Sequence, residues 1–212
     1  TFDDAATMRR ATQQGLGIGL ISRLDAEEDI AAGKRVFGLA SHLYALRHAE
    51  SDGIGDFTTL QRFAKLTGDI GGRYAGLNPL HHLFPSDRSR ASPYQPSDRH
   101  YIDPIYISIA ELLSRFPLPR TAQLADDNRA AFAELEQRQL VDYESVWDAK
   151  QRVLESAFRE FRPTADFEVF RAEGAAHLTP HGRFEAERMG ETPTAERIAY
   201  RAFLQGVADL QL

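Results

Sequence analysis

"RVFGLASHLYALR" (Arg35–Arg47) is the stretch on which the fold turns. It is aromatic and aliphatic with little polarity, the signature of a strand buried on both faces. A polar, glycine-bearing segment follows, "HAESDGIGDF" (His48–Phe57). Asp56 then stands as N-cap of an amphipathic helix with Phe57, Leu60, Phe63 and Ala64 inward and a stop near Gly68. "RYAGL" (Arg73–Leu77) reads as a second strand. Strand, loop, helix and strand over about forty residues make a βαβ unit with parallel strands. Two strands leave unpaired backbone on both edges. With the helical stretch downstream, the pattern is that of the opening section of a larger α/β barrel.

Upstream, "DDAATMRRATQQG" predicts a short helix, "GIGLISRL" a strand and "AEEDIAAGK" an exposed connection. Beyond Ile109 the chain reads as helix almost throughout. Tyr143, Trp147, Leu154, Phe158 and Phe161 recur at helical steps, and Pro163 ends that segment. "ADFEVFRAEG" predicts a short helix stopped by Gly174. A last helix starts from a Thr194 cap with Ile198, Ala202 and Leu210 inward, and its apolar face is expected to lie uncovered. The expected organisation is therefore residues 1–34 as the end of an N-terminal domain or linker, 35–110 as the first barrel strands and loops, and 111–212 as a helical insertion. By residue count the chain is predominantly helical.

Composition excludes several classes. The 212 residues carry a net charge of −6 with no basic stripe, so no nucleic-acid partner is expected. The longest apolar runs are too short for a membrane span, and no signal peptide is read at the start. No cysteine is present, which permits a reducing compartment. A chain that starts at Thr1 is expected to be a trimmed piece.

Chemistry-bearing motifs are sparse. "GLGIGLIS" and "GIGDFT" lack the third glycine of a dinucleotide fingerprint, and "GIGDF" reads as a tight turn feeding a capped helix. His81 and His82 are adjacent, and His177 and His181 are separated by Pro180 outside any H-E-x-x-H pattern, so neither metal nor cofactor is expected. Carboxylates abound, but spacing selects no acid–base pair. The strongest signal is Gly76–Ile107, with five prolines and three tyrosines. A long ordered loop without secondary structure is usually functional. Proline-stiffened tyrosines suit a sugar ring with an apolar face and a rim of hydroxyls. A loop that only covers the barrel mouth is the competing reading.

"GLASHLYALR…GIGDF", "GLNPLHHLFP" and "ASPYQPSDRHYIDPIYI" resemble the amylomaltase family, the 4-α-glucanotransferases of the α-amylase clan (glycoside hydrolase family 77). "LVDYESVWDAK", "FRAEGAAHL" and "FLQGVADLQL" are similar to its helical insertion. The resemblance implies a (β/α)8 TIM barrel, here its first βαβ unit with a large α-helical insertion. It implies cytoplasmic transfer of α-1,4-glucan segments by a retaining double displacement. Tyr94, with Ser92 beside it, matches the tyrosine that stacks on the sugar. Asn78 and His81 match the segment ending the second strand, and Tyr44 and Asp56 match positions around the first βα loop.

The resemblance also places the nucleophile in an arginine-x-aspartate motif after a later strand, with the acid/base glutamate and a third aspartate further on. These 212 residues alone are thus expected to be inactive and to supply part of the glucan-binding wall. Two departures stand out: a polar, glycine-rich "GGRYAGL", and Gly206 where the family often has tryptophan. The alternative is a non-catalytic α-glucan-binding or interaction module. Open strand edges make self-association the structural expectation.

Overall fold

The computed structural model describes Gly33 and residues 37–48 and 51–212. The helix, strand and connection expected upstream of Gly33 lie outside the described residues, as do the first two positions of "RVFGLASHLYALR". Among the described residues helices dominate and strands are few and short. β1 (Gly38–Ser41) and β2 (Tyr74–Leu77) pair in parallel, with Gly38 opposite Tyr74 and Ser41 opposite Leu77. Between them runs α1 (Phe57–Asp69), capped by Asp56, whose Oδ1 accepts from Thr59 N at 2.9 Å. The βαβ reading is therefore realised.

The first strand differs from expectation in extent and burial. It covers four residues, and their exposure alternates, with Gly38 and Ala40 open to solvent. Only β2 pairs with it among the described residues. The chain then leaves the extended path in a 3-10 turn, Leu43–Ala45, that carries the Leu43 side chain into full burial.

Gly76–Ile107 is not a structureless loop. β3 (His81–His82) and β4 (Asp98–Ile102) pair antiparallel, with a bulge at His81/His82. A 3-10 turn, Pro104–Tyr106, follows, capped by Asp103. The hairpin is held by distant partners. Asp103 Oδ2 accepts from Leu83 N at 2.7 Å and from Arg88 Nη1 at 2.6 Å. A lone carboxylate in the apolar run "YIDPIYI" is fully buried, and such a charge persists only with a cation and N–H donors around it.

Helices α2 (Ile109–Arg115), α3 (Pro119–Asp127), α4 (Arg129–Gln137) and α5 (Tyr143–Glu160) follow. Trp147, Leu154 and Phe161 are buried, and Tyr143 and Phe158 are half-buried. The short helix expected to stop at Gly174 is instead α6, Ala165–Arg188, which runs through Gly174 and Pro180 for 24 residues. Packing overrides the breakers. Leu178, His181, Gly182 and Glu185 are all buried on one side of α6. Pro180 and Ala176 are exposed, so water can take the carbonyl that the missing proline N–H leaves open.

The last helix, α7 (Ala195–Gln211), was expected to carry an uncovered apolar face and does not. Tyr200, Phe203, Leu204, Val207 and Ala208 are buried in the main core. α7 runs antiparallel to α6, as the contacts of Gly182 with Ile198 and of Gly206 with Phe167 require. Two glutamines fasten it to the hairpin's exit. Gln205 Oε1 accepts from Ile102 N at 3.2 Å while its Nε2 donates to Ile102 O at 2.9 Å. Gln211 does the same to Ser108 N and O at 2.8 and 2.9 Å. Each side-chain amide thus bonds both the N–H and the C=O of one residue. One buried cluster runs from Leu43, Ile54 and Phe57 through Tyr106 to Leu154 and Phe203.

Candidate functional site

A cleft of about 610 Å³ opens where three segments meet. One wall is the turn after β1, with Tyr44 and Arg47; the second is the hairpin loop, from Arg88 to Ala91; the third is the approach to α5, from Gln139 to Glu144. Tyr44 and Tyr143 form an aromatic corner, their ring centroids 6.3 Å apart at 59°. His42 stacks on Tyr44 at 5.0 Å. Burial, then the neighbouring Tyr44 and Asp103, pushes the Tyr143 hydroxyl well above the usual tyrosine range, so it stays a donor.

The turn that presents Tyr44 is held tightly. The Asn78 side chain, nearly fully buried, accepts from Leu43 N through Oδ1 at 2.7 Å. Its Nδ2 donates to Pro79 O at 2.8 Å. Gly55 closes from the other direction: a Cβ there would lie 1.9 Å from Leu43 O and 2.3 Å from Leu46 O. The glycine of "GIGDF" is thus required for close backbone approach, not for phosphate.

Arg88 forms the floor near the hairpin. Its guanidinium is clamped between the Asp103 carboxylate and the Trp147 ring, 4.3 Å from the ring centroid. Burial raises the Asp103 pKa, but Arg88, His82 and the N–H groups of Ile105 and Leu83 outweigh it and hold the carboxyl below its usual range. Asp142 on the third wall caps α5 through Ser145 and pairs with Arg138.

Of the residues singled out in the sequence, the structure brings Tyr44 to the cleft and sets Asn78 beneath it. Tyr94 and Ser92 follow the cleft residue Ala91 on the hairpin loop, exposed, with Tyr94 60% open. Arg99 Nη2 donates to Tyr94 O at 3.3 Å. His81 is half-buried on β3, and burial followed by the Arg99 charge depresses its pKa. Asp56 is 3% exposed, and its Oδ1 accepts from both Thr59 N and Thr59 Oγ1. Sequence reading did not find Arg88 or Tyr143 as cleft residues. Asp103 was the available signal for the first, since a carboxylate in an apolar run needs a cation.

A second polar cluster joins the hairpin to α6. His82 Nε2 hydrogen-bonds Glu185 Oε2 at 2.7 Å. The His181 ring stacks on Tyr101 at 3.6 Å and meets His82 edge-on at 5.3 Å. Tyr101 OH donates to His177 O at 2.8 Å. Among the described residues no helix is long and apolar enough to cross a membrane.

Known proteins are similar to this chain in sequence and in structure. The family described as 4-alpha-glucanotransferase matches residues 41–211. A 4-alpha-glucanotransferase of Haemophilus influenzae is 34% identical over 139 residues, covering 64% of this chain and 20% of that protein. One of Mycobacterium bovis is 32% identical over 138 residues, covering 62% and 19%. The chain spans about a fifth of the length of these relatives. In three dimensions it is similar to the amylomaltase from Corynebacterium glutamicum, with a TM-score of 0.75 and 25% identity over 87% of this chain and 28% of that one. With a family match that runs from the last residue of β1 through β2, the hairpin and every described helix, the chain belongs to the 4-alpha-glucanotransferase family.

Proposed function

We propose that this chain is part of a 4-α-glucanotransferase that moves α-1,4-glucan segments onto a glucan or glucose acceptor. In this reading β1, α1 and β2 are the first βαβ unit of a (β/α)8 barrel, and residues 111–212 are a helical subdomain inserted after it. Residues 1–34 end a preceding domain or linker. The observation that carries it is a coincidence of place: the family match includes a cleft lying just past the carboxyl ends of two parallel strands, the end where barrel active sites form. Tyr44, and Tyr94 with Ser92, are the sugar-contacting groups, with His81 beside them. Asn78 and Asp56 belong to the frame.

The chemistry is a retaining double displacement. A carboxylate attacks the anomeric carbon, an acid protonates the leaving oxygen, and a glucan hydroxyl then takes the glycosyl group. The reacting carboxylates belong to later segments of the protein, and this chain contributes a binding wall. A cytoplasmic location is part of the reading, and the absence of cysteine is compatible with it.

The test is maltotriose disproportionation. The full-length protein carrying this chain is expected to convert maltotriose into glucose and longer chains, whereas residues 1–212 alone are not. A full-length protein that leaves maltotriose intact sinks the proposal. A chain of 1–212 that binds maltooligosaccharide tightly by itself would favour the non-catalytic binding module. Self-association of residues 1–212 through exposed strand edges completes the reading, and light scattering that finds only monomer counts against it.

A further inference from the structure

The parallel ladder between β1 and β2 ends at Ser41 and Leu77. One residue further along β2, Asn78 takes over with its side chain: Oδ1 accepts the Leu43 N–H at 2.7 Å, and Nδ2 donates to Pro79 O at 2.8 Å. The Tyr106 hydroxyl lies within hydrogen-bonding reach of the same amide. Asn78 is 3% exposed, so donor and acceptor are both engaged inside the protein and none of the side chain faces the cleft. Leu43 is the first residue of the 3-10 turn whose next residue, Tyr44, lines that cleft. Gly55 presses on the far side of the same turn.

We infer that Asn78 is a positioning residue: it extends the strand pairing by one side-chain step to lock the Leu43–Ala45 turn, and it acts on the glucan only through Tyr44. The inference rests on the proposed glucan site for its ligand and on geometry alone for the clamp. A carboxamide is specifically suited, because the position needs an acceptor and a donor on adjacent atoms. A protonated carboxyl has the same pair, a carboxylate has two acceptors, and alanine has neither.

The experiment uses the full-length protein with Asn78→Ala, Asn78→Asp, Tyr44→Ala and the double variant Asn78→Ala/Tyr44→Ala. Two quantities are read: hydrogen exchange at the Leu43 amide and the Kd for maltotriose. Asn78→Ala is expected to lower Leu43 protection by about tenfold and to weaken maltotriose to a similar degree. The double variant is expected to bind no worse than Tyr44→Ala alone, because the two residues act as one unit. In Asn78→Asp, protection and affinity are expected to be poor at neutral pH. Both should return below about pH 5, where the buried carboxyl, its pKa raised by burial, regains its proton.

The groups around this position are the Tyr106 and Tyr143 hydroxyls, both raised by burial, and Asp103, held below its usual range, together with the Tyr44 ring and the His42 stacked on it. The unsubstituted protein at both pH values cancels any contribution from His42. Additive losses of affinity in the double variant would make Asn78 a direct sugar contact and overturn the inference. Leu43 protection indifferent to the residue at position 78 would overturn the clamp. If the unsubstituted protein binds no maltotriose, the glucan reading falls, and the exchange data alone decide the clamp.

Discussion

Gly206 on α7 lies directly against Phe167 on α6: a Cβ added to the glycine would sit 2.4 Å from the ring's Cε2. Phe167 is buried and packs on Phe161 at 4.9 Å between ring centroids. The space beside position 206 is thus filled by an aromatic from the neighbouring helix.

Gly206→Ala is expected to destabilise the chain by about 1–3 kcal/mol, although alanine is the better helix former, since overpacking outweighs propensity. Phe167→Ala is expected to cost about 3–5 kcal/mol. Phe167→Ala/Gly206→Trp should recover much of that loss, and urea midpoints of the three variants check the exchange of volume.

Arg88 and Asp103 make the most buried ion pair in the hairpin, at 2.6 Å with both side chains at most 3% exposed. Arg88→Met leaves the carboxylate without its cation and is expected to cost about 3–5 kcal/mol. Arg88→Met/Asp103→Asn should regain part of it, because a neutral amide needs no counter-charge. Trp147, the single tryptophan, lies under the guanidinium, so its fluorescence reports the loss directly. Because the folded Asp103 pKa is depressed, the pair's contribution is present above the unfolded value near ~4 and is lost only as pH falls through the folded one.

Gln205 and Gln211 each close a hydrogen-bond pair with one backbone unit, six residues apart on both sides. Gln211→Leu strands the buried Ser108 N–H, at about 1–3 kcal/mol, while Ser108 O keeps its bond from Leu112 N. Gln211→Glu keeps the acceptor, loses the donor and sets a carboxylate against a carbonyl. It is expected to fall no nearer the unsubstituted stability than leucine does, as thermal unfolding would register.

His82 and His181 touch, and their environments drive them in opposite directions. Burial opposes a charge on His82, but Glu185 and then Asp103 outweigh it and raise the pKa. Burial, then His82, drives His181 down to about 3. The His82 contribution is therefore present below the unfolded pKa near ~6.5 and lost as pH rises through the folded value. The His181 contribution is present above ~6.5 and lost as pH falls towards the folded value. His181→Phe, which keeps the stack on Tyr101, is expected to flatten the acid limb of the stability curve by about one proton, or about 1.4 kcal/mol per pH unit. His82→Phe should flatten the alkaline limb. Chemical denaturation at several pH values checks both.

Local patterns carried much of this chain. Asp56 before an apolar helical stripe, Thr194 before another, and the apolar runs at Leu39 and Ala75 are read from neighbours in sequence, and the caps and the parallel pair form where that reading puts them. Tyr44 was reachable in the same way, through a motif.

Contacts between distant residues decided the rest. Gly174 and Pro180 are helix breakers by local propensity, yet α6 continues because His181 and Glu185 gain partners on the hairpin and Gly182 a close approach to α7. Gly76–Ile107 has little strand propensity, and its hairpin forms because Asp103 and Gln205 supply partners from outside the pair. The Asn78 side chain accepts from the Leu43 N–H, a contact with a residue 35 positions away that no local pattern reveals. Propensity acts over a few residues, whereas the burial that overrides it exists only once the chain has folded on itself.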